Sequence, residues 1–354
     1  MMMKPQLHRL ISSFGLSIIL LASLLLVLSS SETADGREEL PNLATFTSPL
    51  DPVTPTYNLY LPLVSNPYQW HKVGAGLAGL SSYGSAMTGT LVFTGFTNYW
   101  YHAWGVPCAD WVDPSDLVNR DIPMVRTGTI TTFLSNTQYG PCNDGRPVLV
   151  LNEPEGAGQD NLVGPNMPRA LYIITSVTNS TWKGPVYIGG IMVQNEQYIT
   201  DLLTLWANSH GGSRLIPGVA GFHVHPYLNW TPGYSLWLTE TQMMPIVDQN
   251  VQMVRDFIAH RKAEGYSGAV VISEFGWLGR TLQVGRHDDV MVAVFDRYVQ
   301  DFDTIPEIQS WAWFSDWCPR TTLTNDLDIS NIISDDGTFT PTGIKFREKL
   351  AIYP

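Results

Sequence analysis

The sequence predicts an α/β fold, a (β/α)8 TIM barrel, and three observations carry that prediction. Eight short apolar or β-branched runs recur between residues 70 and 320, and most are followed by longer mixed segments with helical spacing. The fourth and the seventh of these runs each end in a glutamate. The chain has 354 residues, 44% hydrophobic and 15% charged, which is enough apolar material for one core of the about 250 residues that such barrels use.

The first element is not part of the barrel. Lys4, His8 and Arg9 form a basic start, Leu10–Leu28 is an apolar run, and Ser29, Ser30 and Ser31 offer small residues for cleavage. Residues 1–31 therefore read as a signal peptide, which makes the chain secreted. The run is long for a signal, so the alternative is an uncleaved anchor that leaves the chain on the membrane facing outside. Membrane contact is expected only in that case. Residues 32–69 read as a Pro-rich linker, with Pro41, Pro49, Pro52, Pro55, Pro62 and Pro67 and no helical period between them. Residues 70–354 are assigned to the barrel domain.

Within that domain the predicted strands are Val73–Leu77, Val92–Tyr101, Met124–Thr127, Val148–Asn152, Val186–Gly189, Gly221–His225, Ala269–Ser273 and Ser310–Phe314. Helical spacing appears over Pro168–Asn179, Glu196–Ser209, Ile246–Glu264 and Val290–Phe302. Only Gly128–Arg146, where a third helix belongs, is poor in helix-forming pattern. Strands alternating with helices point to a parallel sheet with helices outside it.

The bulk chemistry narrows the function. Net charge is −12, which argues against a nucleic-acid partner, since a phosphate binder needs a basic face. Twelve Trp, 15 Tyr and 13 Phe suit either a core or stacking on sugar rings. Cys108, Cys142 and Cys318 allow one disulfide and leave one thiol, with no zinc-type spacing. Cys108 follows strand 2 and Cys318 follows strand 8, on the upper face, whereas Cys142 precedes strand 4; the favoured pair is Cys108–Cys318. Asn179-Ser180-Thr181 and Asn229-Trp230-Thr231 fit the glycosylation pattern.

Strand 4 reads Val148-Leu149-Val150-Leu151-Asn152-Glu153-Pro154, and strand 7 reads Ala269-Val270-Val271-Ile272-Ser273-Glu274-Phe275. Catalytic residues of barrels sit at the C-terminal strand ends, and strands 4 and 7 face each other across the mouth. A lone Glu after a strand is ordinarily a solvated loop residue. Two in matched positions form the pair that glycosidic cleavage uses, one to protonate the leaving oxygen and one to attack or to activate water. Glu155 is the competing carboxylate. His223 and His225 share a face of strand 6 and reach the site if that face is inward; a structural role is the other reading. With no third ligand of suitable spacing, neither a metal nor a cofactor is expected. Tyr227 is in order to hydrogen-bond Glu274, unless it is only a rim tyrosine. Arg126, near the end of strand 3, can neutralise a carboxylate or bind a hydroxyl. Tyr101, Trp104, Trp100 and Trp111, on or after strand 2, are candidate substrate contacts, as are Asp316 and Trp317 above strand 8.

Asn152-Glu153-Pro154 together with Glu274 resembles the clan A glycoside hydrolases, retaining barrel enzymes. The resemblance implies Glu153 as acid/base, Glu274 as nucleophile and Asn152 as the partner of the sugar 2-hydroxyl. Val73–Ser81, Asn98–Gly105, Ile122–Val125, His223-Val224-His225-Pro226-Tyr227 and Trp311-Ala312-Trp313-Phe314 narrow it. Over roughly residues 70–320 these are similar to the alkali-sensitive-linkage type of glycosyl hydrolase domain, glycoside hydrolase family 128, known for endo-β-1,3-glucanases. His-x-His-Pro-Tyr stands where the family more usually has Val-His-Trp-Tyr. The resemblance implies Trp313 as the floor of the subsite beside the scissile bond, with Trp311 on the same face; core packing is the alternative for either. The expected partner is a polysaccharide or oligosaccharide, most specifically a β-1,3-glucan. A xylosidase, mannanase or galactanase specificity, or a barrel that binds polysaccharide without cleaving it, are the competing readings.

Overall fold

The computed structural model describes residues 71–76, 100–102, 121–136, 143–228, 239–277, 288–314, 330–334 and 338–353. The proposed signal and linker, Trp104, Trp111, Asp316, Trp317, the three cysteines, the Asn229 sequon and the side chain of Tyr101 lie outside them. Strands appear at all eight predicted places, the second only at its end because residues 92–99 lie outside the described residues: β1 Val73–Gly76, β2 Trp100–His102, β3 Met124–Val125, β4 Val148–Val150, β5 Val186–Met192, β6 Val219–His225, β7 Val270–Phe275 and β8 Ile308–Phe314. Every pairing is parallel, in the order β2-β1-β8-β7-β6-β5-β4-β3. No ladder joins the end strands β2 and β3 among the described residues.

The sheet is nonetheless strongly curled. One buried cluster gathers Trp100 of β2, Met124 of β3, Leu149 of β4, Tyr187 of β5, Val271 of β7 and Ala312 of β8. In a flat sheet with strands about 4.8 Å apart, β2 and β3 would lie roughly 30 Å from each other. Here they share one interior. Successive strand residues alternate between this interior and a larger outer core. Val148, Val150, Val270, Ile272, Phe222 and Val224 point outward to the helices. Both faces are therefore apolar, as buried parallel sheets require.

The helices supply the outer layer: α1 Ile130–Asn136, α2 Met167–Thr178, α3 Gln197–Ser209, α4 Glu240–Ala263, α5 Asp288–Asp303 and α6 Pro341–Ile352. Each of the long ones buries a stripe at helical spacing, such as Ala170, Ile173, Ile174 and Val177 of α2 and Val247, Val251, Val254 and Ile258 of α4. The weak third helix exists, and among the described residues it comprises the seven residues of α1. Helix α4 begins six residues before the predicted Ile246, because Thr239 and the Gln242 side chain cap it upstream of Pro245.

Candidate active site

Strands β4 and β7 present their carboxylates by different means. Strand β4 stops at Val150, and the chain then turns through left-handed backbone at Leu151 (φ 76°) and Glu153 (φ 42°). Such conformations cost non-glycine residues on the order of 1 kcal/mol each and persist only where surrounding bonds hold them. Leu151 N–H donates to Val125 O at 2.8 Å, and Glu153 N–H donates to Gly190 O at 2.7 Å. Glu274, by contrast, lies within β7, where the pairing with β8 shifts register between Ile272 and Phe275, and is 3% exposed.

The two side chains converge on His225. Its Nδ1 is 3.5 Å from Glu153 Oε1, and its Nε2 is 3.8 Å from Glu274 Oε1. One donor atom from each of the three residues lies within 4.8 Å of the other two. Burial by itself would depress the His225 pKa, but the Glu274 and Glu153 carboxylates raise it above its ordinary value. For Glu153, burial pushes upward, but the adjacent imidazole of His225 and the charge of Arg126 leave the pKa lowered. The two shifts favour a proton on His225 over one on Glu153.

Tyr227 donates its hydroxyl to Glu274 Oε2 and is 2% exposed. Its backbone is fixed from behind: Asn250 Nδ2 of α4 donates to Tyr227 O at 2.9 Å, and Tyr298 Oη of α5 donates to Pro226 O at 2.8 Å. Arg126 donates to Gln159 Oε1 at 3.1 Å, and Asn152 Nδ2 lies 3.5 Å from the same oxygen. Asn152 is 3% exposed, and its buried Oδ1 has no protein partner. Glu155 is tied into the structure instead. Its Oε1 accepts from Met192 N at 2.8 Å and Asn195 Nδ2 at 3.1 Å, and burial raises its pKa.

The structure therefore brings Glu153, Glu274, His225, Tyr227, Asn152 and Arg126 together. It does not bring Trp311 and Trp313 there, which corrects the expectation for both. Each is fully buried in the outer core, against Phe275 and against Phe295 of α5. Trp313 Nε1 donates to Ser330 O at 2.7 Å. The inward residues of β8 are Ala312 and Phe314, whose ring meets Tyr227 edge-on at 5.8 Å. Trp100 likewise fills the interior floor over Gly74, where a Cβ would come within 2.3 Å of its ring. Residues not anticipated from sequence are Phe314, Gln159, Asn250, Tyr298 and the Gly189-Gly190 pair. A polar Asn250 inside an apolar helix stripe, and two glycines inside a strand, were the available signals.

Glu153, His225 and Glu274 are also the kind of donor set that can hold a cation. The imidazole turns a different nitrogen to each carboxylate, however, which is the geometry of a charge bridge and not of one nitrogen and two carboxylates aimed at a common point.

The sequence matches no protein-family profile and no curated protein. Solved structures of similar fold do exist. One is a subgroup II endo-β-1,3-glucanase of glycoside hydrolase family 128 from Sorangium cellulosum, with a TM-score of 0.53, 14% identity, and coverage of 78% of this chain and 97% of that one. Another is a subgroup I endo-β-1,3-glucanase from Amycolatopsis mediterranei solved with laminarihexaose, with a TM-score of 0.52, 15% identity, and coverage of 78% and 98%. A subgroup VI exo-β-1,3-glucanase from Aureobasidium namibiae follows, with a TM-score of 0.51, 14% identity, and coverage of 78% and 96%. At this identity the likeness is one of fold: the chain shares the architecture of the family 128 β-1,3-glucanases.

Proposed function

We propose that this chain is an exported retaining glycoside hydrolase of the family 128 type, a closed (β/α)8 barrel that cleaves β-1,3-glucan. The observation that carries the reading is the carboxylate pair at the ends of β4 and β7, with oxygens inside 4.8 Å. Retaining enzymes keep their two carboxyl groups about 5–5.5 Å apart, whereas inverting enzymes leave about 6.5–9.5 Å for a water. Glu274, buried and fixed by Tyr227, is the nucleophile, and Glu153, on the more exposed turn, is the acid/base. Asn152 Oδ1, a buried acceptor without a protein partner, suits a sugar hydroxyl.

The resting proton balance fits a two-step reaction. His225 holds the proton while Glu153 is ionised. A sugar covering Glu153 displaces water and pushes its pKa up, so the proton moves to Glu153 and onto the leaving oxygen as Glu274 attacks the anomeric carbon. Esterification removes the Glu274 charge. Glu153 is then left as a base that deprotonates the incoming water. The test is incubation with laminarin, curdlan, xylan, mannan and galactan, with reducing sugar and the anomer of the first product read by NMR. Cleavage of the β-1,3-glucans with β-anomer released first is expected. Cleavage of another glycan alone, or first release of the α-anomer, overturns the reading. Mass spectrometry of the exported chain, expected to lack residues 1–31, tests the signal.

A further inference from the structure

Strands β4 and β7 are separated in the sheet by β5 and β6, so no ladder bond links the two glutamate-bearing ends. A side chain from β6 does. His223 is fully buried beneath the carboxylates, with Nε2 3.1 Å from Val150 O and Nδ1 2.9 Å from Ser273 Oγ. A carbonyl oxygen can only accept, so Nε2 carries the proton and donates, and Nδ1 accepts from the Ser273 hydroxyl. Burial, reinforced by the neighbouring charge of His225, holds the His223 pKa well below its ordinary value, so the ring is neutral. Val150 is the last residue of β4, and Ser273 immediately precedes Glu274. His102 Nε2 of β2 donates to Ser273 O at 2.7 Å, gripping the same residue from the far side.

A second observation shows that the structure makes room for this ring. To reach β4 from β6, His223 must pass β5, and it does so where β5 bulges at Gly189 and Gly190. A Cβ on Gly190 would lie 2.7 Å from His223 Cε1 and 2.9 Å from Leu151 O, and its φ of +61° also favours glycine. The carbonyl exposed by the same bulge is the one that receives Glu153 N–H. The gap for the imidazole and the anchor for Glu153 are thus one feature of β5.

We infer that His223 is a positioning residue: a strut that ties Val150 of β4 to Ser273 of β7 through the gap at Gly190 and so sets the separation of Glu153 and Glu274. The inference rests on reading those two as the catalytic pair. His223 itself touches no substrate. Three variants test it. His223→Leu removes both bonds, His223→Gln can replace them with an amide donor and carbonyl acceptor, and Ser273→Ala cuts only the β7 end with minimal change of volume. His223→Leu is expected to lower kcat on β-1,3-glucan about 10²-fold with KM unchanged, as displacement of reacting groups by about 1 Å does. Ser273→Ala lowers kcat by less, the double variant is no worse than His223→Leu alone, and His223→Gln restores most of the loss. In the His223→Leu crystal structure the nearest Glu153 and Glu274 oxygens, which now lie within 4.8 Å of each other, move farther apart. Unchanged kcat, a loss confined to KM, or an unchanged carboxylate separation overturns the strut. If His223→Leu does not fold, Ser273→Ala decides by the same two readouts. If the wild type cleaves no β-1,3-glucan, the functional reading fails, while the carboxylate separation in the variants still decides whether His223 sets it.

Discussion

The ends of β4 and β7 hold the same residue type in the same role class, yet they are built in opposite ways. Glu274 stands inside strand β7, at a register shift against β8, with its side chain 5% exposed. It is backed by Phe275, Trp313 and Phe295, and its carboxylate is tied by Tyr227, whose backbone α4 and α5 hold. Glu153 stands past the end of its strand on left-handed backbone, with a side chain 24% exposed beside Arg126, Gln159 and His225. A group that must attack one carbon benefits from a rigid frame. A group that must exchange a proton with a leaving group and then with water benefits from access to solvent and a nearby proton holder. The difference in construction supports the proposed assignment of Glu274 as nucleophile and Glu153 as acid/base.

The largest effect is expected from the rigid end. Glu274→Ala should lower kcat by at least about 10⁴-fold on every substrate, because no other group can form the covalent intermediate. Added azide should restore turnover and give a glycosyl azide of inverted configuration. Glu153→Ala should cost about 10²–10⁴-fold on poor leaving groups and far less on activated aryl glycosides, with azide trapping a product of retained configuration. Exchanged stereochemistry between the two variants would reverse the roles and break the comparison.

The framing of Glu274 can be tested from behind. Trp313→Ala should destabilise the fold by about 3–5 kcal/mol, measured by denaturant unfolding, since a fully buried indole in the outer core leaves a cavity. A variant of native stability that binds glucan weakly would instead return Trp313 to the substrate subsite. Tyr227→Phe removes the bond to Glu274, and a hydrogen bond to a charged group is worth about 1.5–3 kcal/mol, or roughly ten- to 10²-fold in kcat. An unchanged kcat would mean that the carboxylate is fixed by packing alone.

The strands and the carboxylate pair were legible in sequence because they are local. Runs such as Val148–Leu151 and Val270–Ile272 announce a buried strand, and each ends in its own Glu. The orientation of β8 was not legible. Ser310-Trp311-Ala312-Trp313-Phe314 is buried on both faces, so no polar alternation marks which side is inside. Sharing a face was right for Trp311 and Trp313, but the face is the outer one. The narrow interior takes Ala312 and, at the mouth, Phe314. The His223 bridge was beyond sequence for another reason. Its partners are 73 and 50 residues away, and only the curled sheet brings them together. The glycine pair of β5 was the one local trace of that bridge, a position where only hydrogen fits between β4 and β6.

The smallest predicted effect concerns the charge bridge that joins the two ends. The His225 pKa is raised above its ordinary 6.5: burial opposes the shift, and the Glu274 and Glu153 charges outweigh it. Folded protein thus holds this proton more tightly than unfolded chain, and the stabilisation is full below pH 6.5 and vanishes as pH rises through the raised value. The Glu153 pKa lies below its ordinary 4.5, burial again being outweighed, here by His225 and Arg126. Its contribution is full above pH 4.5 and vanishes as pH falls through the depressed value. The bridge therefore stabilises most between those two ordinary values. Replacing His225 by Gln removes the upper limb. The Tm of the wild type should fall relative to His225→Gln as pH rises from 6.5 through the raised value, by a modest amount since Glu153 is partly solvated. A wild-type Tm that instead rises relative to the variant as pH climbs through the ordinary 6.5 would mean that His225 is neutral in the folded protein. The proton for the acid step would then have to sit on Glu153 from the start, and the contrast between the two strand ends would lie in their framing alone.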